Sequence, residues 1–362
     1  IFLGINMLNP IDKKRKIEDI SKFFLKYFKR EGFEFVDLDL IIDTDLLTKR
    51  SGEEFKKSTI TYKDLSGKEI SLRPDLTIST AIKYIQDKNT KTKKYSYFGS
   101  AFKLSLNGKL KVFNQIGCEL INSKQGQEDK VIQTFLKSLK KYKKKKVYLG
   151  DIGIYNSLID SLDLPERWKL RLKRHYPRTP YFNELIKRLE TNYDLDQKKI
   201  DYDYNRLEEL KKINGIKVIA GRKIQEIISR FEKKKKDPRD NFIGAKSAKI
   251  IKDFLKIKVP AHQTEKKLVN FFTKHYLRTK LLIKALKKIK KLDSKISKQY
   301  NCFYQSNLGR EIQYYTGIVF SIELNNKEIS RGGEYNNLMK TLGYKKQINA
   351  FGGAIDLNQL LN

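Results

Sequence analysis

Tyr95-Ser96-Tyr97-Phe98-Gly99-Ser100-Ala101-Phe102-Lys103-Leu104-Ser105-Leu106 and Leu110-Lys111-Val112-Phe113-Asn114-Gln115-Ile116-Gly117-Cys118-Glu119-Leu120-Ile121 read as two long strands flanking Asn107-Gly108. Asn-Gly is a strong hairpin signal, because both residues tolerate the positive φ that a tight turn needs. Outward from this hairpin, Glu69–Leu72 and Thr59–Lys63 form a second one around Ser66-Gly67. Between the two, a helix starts near Thr77. Towards the N-terminus, Phe33–Leu40 reads as a strand. Ile17, Ile20, Phe23, Phe24, Tyr27 and Phe28 make one apolar helix face across Asp12–Arg30. Towards the C-terminus, Gln127–Tyr142 is an amphipathic helix. Val147–Ile152 is a strand, and a helix follows to about Leu162. Phe303–Leu308 and Tyr314–Leu324 return to strand, and Asn325-Asn326 turns the chain into Glu328–Ser330. Gly332-Gly333 is expected to open a helix, Tyr335–Leu342, and Ala350–Ile355 closes the pattern as a strand before a short helical turn. Hairpins followed by helices, without βαβ alternation, predict an α/β fold of the α+β type: an antiparallel sheet flanked by helices. Residues 164 to about 300 are helical, charged and poor in strand signals. They suggest a core in two parts, 1–163 and 246–362, separated by a helical insertion at 164–245.

The 362 residues carry 77 Lys and Arg against 42 Asp and Glu, a net charge of +35. Such a balance raises the possibility of a polyanion partner. Lysine is spread over every solvent face, however, as AT-rich coding would leave it. The densest runs, Lys140–Lys146, Lys233–Lys236 and Lys287–Lys291, sit near helix ends, where cations suit the helix dipole. Composition therefore ranks ahead of nucleic-acid binding as the explanation. Two cysteines, Cys118 and Cys302, make no disulfide framework. No apolar run is long enough to cross a bilayer, and Ile1–Ile5 is too short for a signal-peptide core. A soluble cytoplasmic protein is expected, with Met7 as one candidate start.

Several chemistries have nothing to stand on. There is no GxxxxGK[ST] loop, no GxGxxG after a strand and no GxSxG elbow. His175, His262 and His275 are far apart and lack metal-ligand spacing with the cysteines. No metal and no cofactor is expected.

Four segments carry chemistry in order: Leu72-Arg73-Pro74-Asp75-Leu76-Thr77; the hairpin with Gln115, Gly117 and Glu119; Gly309-Arg310-Glu311-Ile312-Gln313-Tyr314-Tyr315-Thr316-Gly317; and Gly332-Gly333-Glu334-Tyr335 through Ala354-Ile355-Asp356-Leu357. Gln115, Gly117 and Glu119 share one strand face. Gly117 is read as leaving room for a ligand between two polar groups. Asp75, Gln115 and Glu119 can accept from a cationic amine, Tyr315 offers a hydroxyl and a ring, and Arg310 can fork a carboxylate. The set suits a zwitterionic amino acid. Read singly, each residue fits equally well in a self-satisfied strand network.

Together these segments resemble the catalytic fold of histidyl-tRNA synthetases, over nearly the whole chain. The resemblance implies a class II aminoacyl-tRNA synthetase-like fold and a histidine site made of Asp75, Thr77, Lys103, Gln115, Glu119, Arg310, Tyr314 and Tyr315. It also sets a register. A two-residue Asn107-Gly108 turn puts Lys103 on the opposite face from Gln115. A three-residue loop, Gly108–Leu110, puts the two directly opposite, as the resemblance requires. The departures are informative. The arginine of the second class motif is Lys103 here, which cannot supply a bidentate fork. The hairpin loop Ser105–Lys111 is short and lacks the usual acidic and arginine residues. The arginine of the third motif aligns with Gln359, removing a partner for triphosphate charge. Gly-Gly-Arg-Tyr-Asp reads Gly332-Gly333-Glu334-Tyr335-Asn336, and no anticodon-binding domain is expected after Asn362.

This pattern resembles the ATP phosphoribosyltransferase regulatory subunits, synthetase paralogues without aminoacylation. Asp151-Ile152-Gly153-Ile154-Tyr155 through Leu164-Pro165-Glu166-Arg167-Trp168 is similar to their central region. The resemblance implies a non-catalytic subunit, with no catalytic residues of its own. It would pair with a short-form catalytic subunit at the first step of histidine biosynthesis, dimerise within a hetero-oligomer and answer to histidine as effector. Histidine's place, in the old synthetase pocket or at the subunit interface, stays open. The competing expectations are a histidyl-tRNA synthetase or a fragment of one, and an RNA-binding pseudo-synthetase.

Overall fold

The computed structural model describes residues 10–47, 59–105, 108–124, 126–191, 197–212, 218–219, 222–236, 244–277 and 280–361. Ile1–Ile5, Met7 and Asn107 lie outside the described residues.

Helix α1 (Pro10–Arg30) opens on proline, whose missing N–H has no partner to lose at a helix start. It buries Ile17, Phe24 and Phe28. Among the described residues the main sheet has nine strands: β1 (Glu34–Phe35), β5 (Lys93–Leu104), β6 (Leu110–Ile121), β7 (Lys145–Asp151), β10 (Lys258–Pro260), β11 (Asn301–Gln305), β12 (Ile318–Leu324), β13 (Lys327–Glu334) and β14 (Ala350–Asp356). Their spatial order is β1-β5-β6-β14-β13-β12-β7-β11-β10. Only β1 with β5 and β7 with β11 run parallel. A smaller sheet joins β2 (Ile41–Asp43), β4 (Glu69–Leu72) and β3 (Thr61–Lys63).

One face of the main sheet is covered by α1, α3 (Glu128–Ser138), α4 (Ile152–Ser161) and α11 (Lys280–Ile296). The core there is aromatic: Phe28 meets Phe135 at 5.8 Å between ring centres, and Phe135 meets Phe320 at 5.4 Å. The other face carries Lys103, Gln115, Glu119, Arg331 and Tyr148 at alternate positions, and α2 (Leu76–Gln86) lies against its β5–β6 end. Helices α5 (Glu166–His175), α6 (Thr179–Glu190), α7 (Gln197–Lys212) and α8 (Ile224–Lys236) follow, with β8 (Val218–Ile219) and β9 (Arg222–Lys223) pairing only with each other. Next come α9 (Gly244–Leu255) and α10 (Thr264–Lys274). Trp168 and Phe182 are fully packed into the main core, so α5 and α6 are integral to it. Among the described residues no helix is long and apolar enough to cross a membrane.

Four expectations need correction. First, the β5–β6 register pairs Lys103 with Lys111 and Gly99 with Gln115. Neither anticipated register occurs. Lys103 and Gln115 do share a face, but about 13 Å of strand separates them, four residues at the β rise. The reason is the connection, in which Ser105 N–H bonds the Lys109 carbonyl at 2.9 Å and Gly108 N–H bonds that of Ser105 at 2.8 Å. Second, Phe33–Leu40 is a strand only at Glu34–Phe35. Beyond it, Arg73 claims the backbone: its Nη1 donates to the Leu38 carbonyl at 2.5 Å and its amide to that of Leu40 at 3.0 Å. Third, Gly332-Gly333 does not open a helix. Both glycines lie inside β13, paired with β12 on one side and β14 on the other, and the helix that follows is a single turn, α12 (Leu338–Thr341). Fourth, Tyr314–Gly317 precedes its strand, which begins at Ile318.

Candidate functional site

The site assembles where α2 meets the polar face of β5 and β6. Asp75 is the N-cap of α2, and its Oδ1 accepts from the Ile78 amide at 2.8 Å. Gln115 Oε1 accepts from the next free amide, Leu76 N, at 3.1 Å. Each of these two acceptors thus spends an oxygen on the unpaired donors that begin a helix. The second carboxylate oxygen of Asp75 accepts from the Tyr314 hydroxyl at 3.3 Å.

Glu119 lies deeper and is fully buried. Three hydroxyls donate to it: Thr77 Oγ1 at 2.7 Å and Tyr97 at 2.9 Å to Oε1, and Tyr335 at 2.6 Å to Oε2. Burial pushes its carboxyl up from 4.5 to about 7, against hydroxyls that favour the ionised form. Asp75 is likewise raised by burial, opposed by the charge of Lys103, the α2 amides and the Tyr314 hydroxyl. The Tyr97, Tyr314 and Tyr335 hydroxyls are held neutral, first by burial and then by Glu119 or Asp75 beside them. Glu119 can reach across β14 only because Gly352 faces it: a Cβ there would meet Glu119 Oε2 and lie 2.5 Å from the Cys118 carbonyl. The space beside Gly117 is not left for a ligand, as was expected. The Tyr97 ring fills it, with its hydroxyl 2.6 Å from where a Cβ would stand.

The structure therefore brings together Asp75, Thr77, Gln115, Glu119 and Tyr314, with the Tyr315 ring packed edge-on to Tyr314 at 5.2 Å. Lys103 Nζ sits 5.5 Å from the centre of the Phe113 ring, further along the same face. Arg310 is not drawn in. Its Nε donates to the Tyr176 carbonyl at 2.7 Å, and its guanidinium lies 4.4 Å from the Phe182 ring centre and 5.1 Å from that of Tyr176. Sequence reasoning missed Tyr97 and Tyr335. Correct strand pairing would have revealed Tyr97, which stands opposite Gly117. Tyr335 follows the end of β13, where alternation no longer predicts direction.

The cluster is a buried patch of two carboxylates and four hydroxyls, chemistry that accepts a cationic amine. Two positions where the resemblance expects arginines, 334 and 359, point elsewhere. Glu334 pairs with Lys288 at 2.6 Å, and Gln359 is exposed on the terminal helix α13 (Leu357–Leu361). Further along the face, a cavity of about 180 Å³ is lined by Tyr148, Ser321, Glu323 and an Arg331 fork held by Glu311 at 2.7 Å and Glu328 at 2.9 Å.

Comparison with known proteins gives a consistent picture. The profile of the family described as "Histidyl-tRNA synthetase" matches residues 4–360. An ATP phosphoribosyltransferase regulatory subunit of Allorhizobium ampelinum is 23% identical over 361 residues, covering 94% of this chain and 96% of its own. A histidine–tRNA ligase of Methanococcus maripaludis is 30% identical over 228 residues, covering 61% of this chain and 52% of its own. Among solved structures, an ATP phosphoribosyltransferase regulatory subunit/histidyl-tRNA synthetase from Bacillus halodurans matches with a TM-score of 0.67 at 16% identity, covering 100% of this chain and 83% of that one. A chain of the ATP phosphoribosyl transferase (HisG:HisZ) complex from Thermotoga maritima matches at 0.54 and 16% identity, covering 94% and 97%.

Proposed function

The chain belongs to the histidyl-tRNA synthetase family, and from that premise we propose that it is a non-catalytic regulatory subunit of ATP phosphoribosyltransferase. It would work with a short-form catalytic subunit in the first step of histidine biosynthesis. The observation that carries this reading is the split state of the site. The acidic, hydroxyl-lined half that suits an amino group is intact and fully bonded. Two of the positions where the resemblance places cations for a nucleotide's phosphates hold none, since Glu334 is committed to Lys288 and Gln359 faces outward. Likeness to a regulatory subunit along 94% of this chain supports the same side. The T. maritima chain comes from a complex named for two subunits, which supports a catalytic partner.

Histidine is the effector in this reading, held in a pocket of Asp75, Thr77, Gln115, Glu119, Tyr314 and Tyr315, with Asp75, Gln115 and Glu119 as the acceptors for its amino group. Lys103, whose charge reaches Asp75, serves the carboxylate in this reading, and Arg310 stands outside the set. The effector acts only through a difference in affinity between two states of the complex. We read residues 164–245 as a helical stretch between core parts 1–163 and 246–362, its first two helices packed into that core, and the subunit as a dimer within the hetero-oligomer.

The test is co-purification with a short-form phosphoribosyltransferase, followed by turnover with and without histidine. The expected result is activity that depends on this chain and falls when histidine is added. Histidine-dependent ATP–pyrophosphate exchange by the chain alone would overturn the proposal in favour of a synthetase.

A further inference from the structure

Segment 310–317 carries Tyr314 and Tyr315 into the site, and Glu334 makes most of the bonds to its far end, with the Asn336 amide donating to the Thr316 hydroxyl at 3.1 Å beside it. The Glu334 carbonyl accepts from the Thr316 amide at 2.7 Å and the Thr316 hydroxyl at 3.2 Å. The Glu334 Oε2 accepts from the Ile318 amide at 3.2 Å, while Oε1 accepts from Asn336 Nδ2 at 2.6 Å. The carboxylate lies so close over the backbone that a Cβ on Gly317 would collide with it. The Gly317 carbonyl in turn accepts from the Ile152 amide at the start of α4, at 2.9 Å.

On its other side Glu334 meets α11. Lys288 Nζ lies 2.6 Å from Glu334 Oε2 and 3.0 Å from Glu128 Oε1 of α3, with the two carboxylates only 13% and 12% exposed. Lys295, two turns on, pairs with Asp129 at 2.6 Å. Asp151, buried at the end of β7, feels both the Lys288 and the Glu334 charges. Two carboxylates thus share a single ammonium group, with the Asp151 carboxyl close enough to feel its charge. Removing that cation leaves buried like charges facing one another, which is the costly direction in which to break such a pair.

We propose that Glu334 is a positioning residue and that Lys288 is the contact through which helix α11 sets the seat of Tyr314 and Tyr315 in the effector site. The chain of contact runs from α11 through Lys288 and Glu334 to Thr316–Ile318, and on to the tyrosine that donates to Asp75. This rests on the reading of that site as the histidine site. A partner or ligand that shifts α11 or α3 changes the hold of Lys288 on Glu334. The tyrosines then move relative to Asp75 without any contact between that partner and the site.

Two readouts on the full chain test this. Hydrogen exchange at 316–318 in Lys288→Met should quicken about tenfold more than exchange at 319–322, over and above the general fall in melting temperature that the lost cation brings. Lys288→Arg, which keeps the cation, should restore protection. Histidine affinity by calorimetry should fall about tenfold in Lys288→Met, with the maximal turnover of the reconstituted complex unchanged. Glu334→Gln keeps an acceptor for the Ile318 amide but drops the charge, and serves if Lys288→Met does not fold. Exchange at 316–318 that quickens no more than at 319–322 overturns the link from α11 to the segment. Quickened exchange with unchanged histidine affinity overturns the link from the segment to the site. A wild-type chain that binds no histidine refutes the site reading instead, and the exchange result then decides the α11 link alone.

Discussion

Glu119 gives the sharpest quantitative handle on the site. Its carboxyl is raised from 4.5 to about 7 by burial, so the folded chain holds that proton more tightly than the unfolded chain does. The stabilisation is therefore complete below about pH 4.5. It declines as pH rises and is gone above about pH 7. At about 1.4 kcal/mol per tenfold change in proton affinity, the loss is about 3 kcal/mol. Glu119→Gln has no such proton. The difference in unfolding free energy, wild type minus Glu119→Gln, should thus fall by about 3 kcal/mol between pH 4.5 and pH 7.5. Asp151, also pushed to about 7 by burial, titrates in both proteins and drops out of the difference. Urea unfolding at half-unit pH steps measures it, with the fluorescence of Trp168, the single and fully buried tryptophan, as the signal. A difference that stays flat across that range would refute the reasoning. It would mean that the hydroxyls of Thr77, Tyr97 and Tyr335 outweigh burial and keep Glu119 ionised throughout.

Two further outcomes follow from residues at the edge of the site or away from it. Arg310→Ala should cost about 1–3 kcal/mol of stability through the lost aromatic and carbonyl contacts, yet leave histidine affinity within about threefold; a loss of tenfold or more in calorimetry would show that the arginine serves the site after all. Cys118 and Cys302 are buried free thiols, Cys118 raised well above the usual thiol range and Cys302 to about 12, both chiefly by burial. A disulfide reagent should therefore label neither until denaturant is added, and one fast-reacting equivalent in the native chain would contradict the packing.

Much of the fold can be read from the sequence, because the signals that carry it are local. The apolar period of α1, the Asn325-Asn326 turn and the long β5 and β6 runs all hold in the structure, with ends displaced by a few residues. The failures share a cause: each depended on a partner distant in sequence. Strand propensity over 33–40 loses to Arg73, a residue more than thirty positions away that bonds those carbonyls. Gly332-Gly333 resembles a helix boundary only until β12 and β14 are seen on either side of it. In the site, alternation put Gln115 and Glu119 on one face correctly. It could not say that Tyr97 would fill the gap beside Gly117, because that depends on a register set by the connection at 105–109. Arg310 is the clearest case. Its chemistry suits a carboxylate ligand, yet a stack of rings from α5 and α6, remote in sequence, offers its guanidinium a better-defined place.

The position of β14 has a consequence for how the chain is made. It is the last strand in sequence, yet it sits between β6 and β13 near the middle of the sheet. Until residues 350–356 emerge from the ribosome, the two halves of the sheet are separate, each presenting a bare edge of unpaired amides and carbonyls. Completion waits for this strand and is dominated by long-range pairing, which is slow. During that interval the nascent protein is at its most aggregation-prone, and a synthetic peptide spanning 350–356 would compete for the vacant slot.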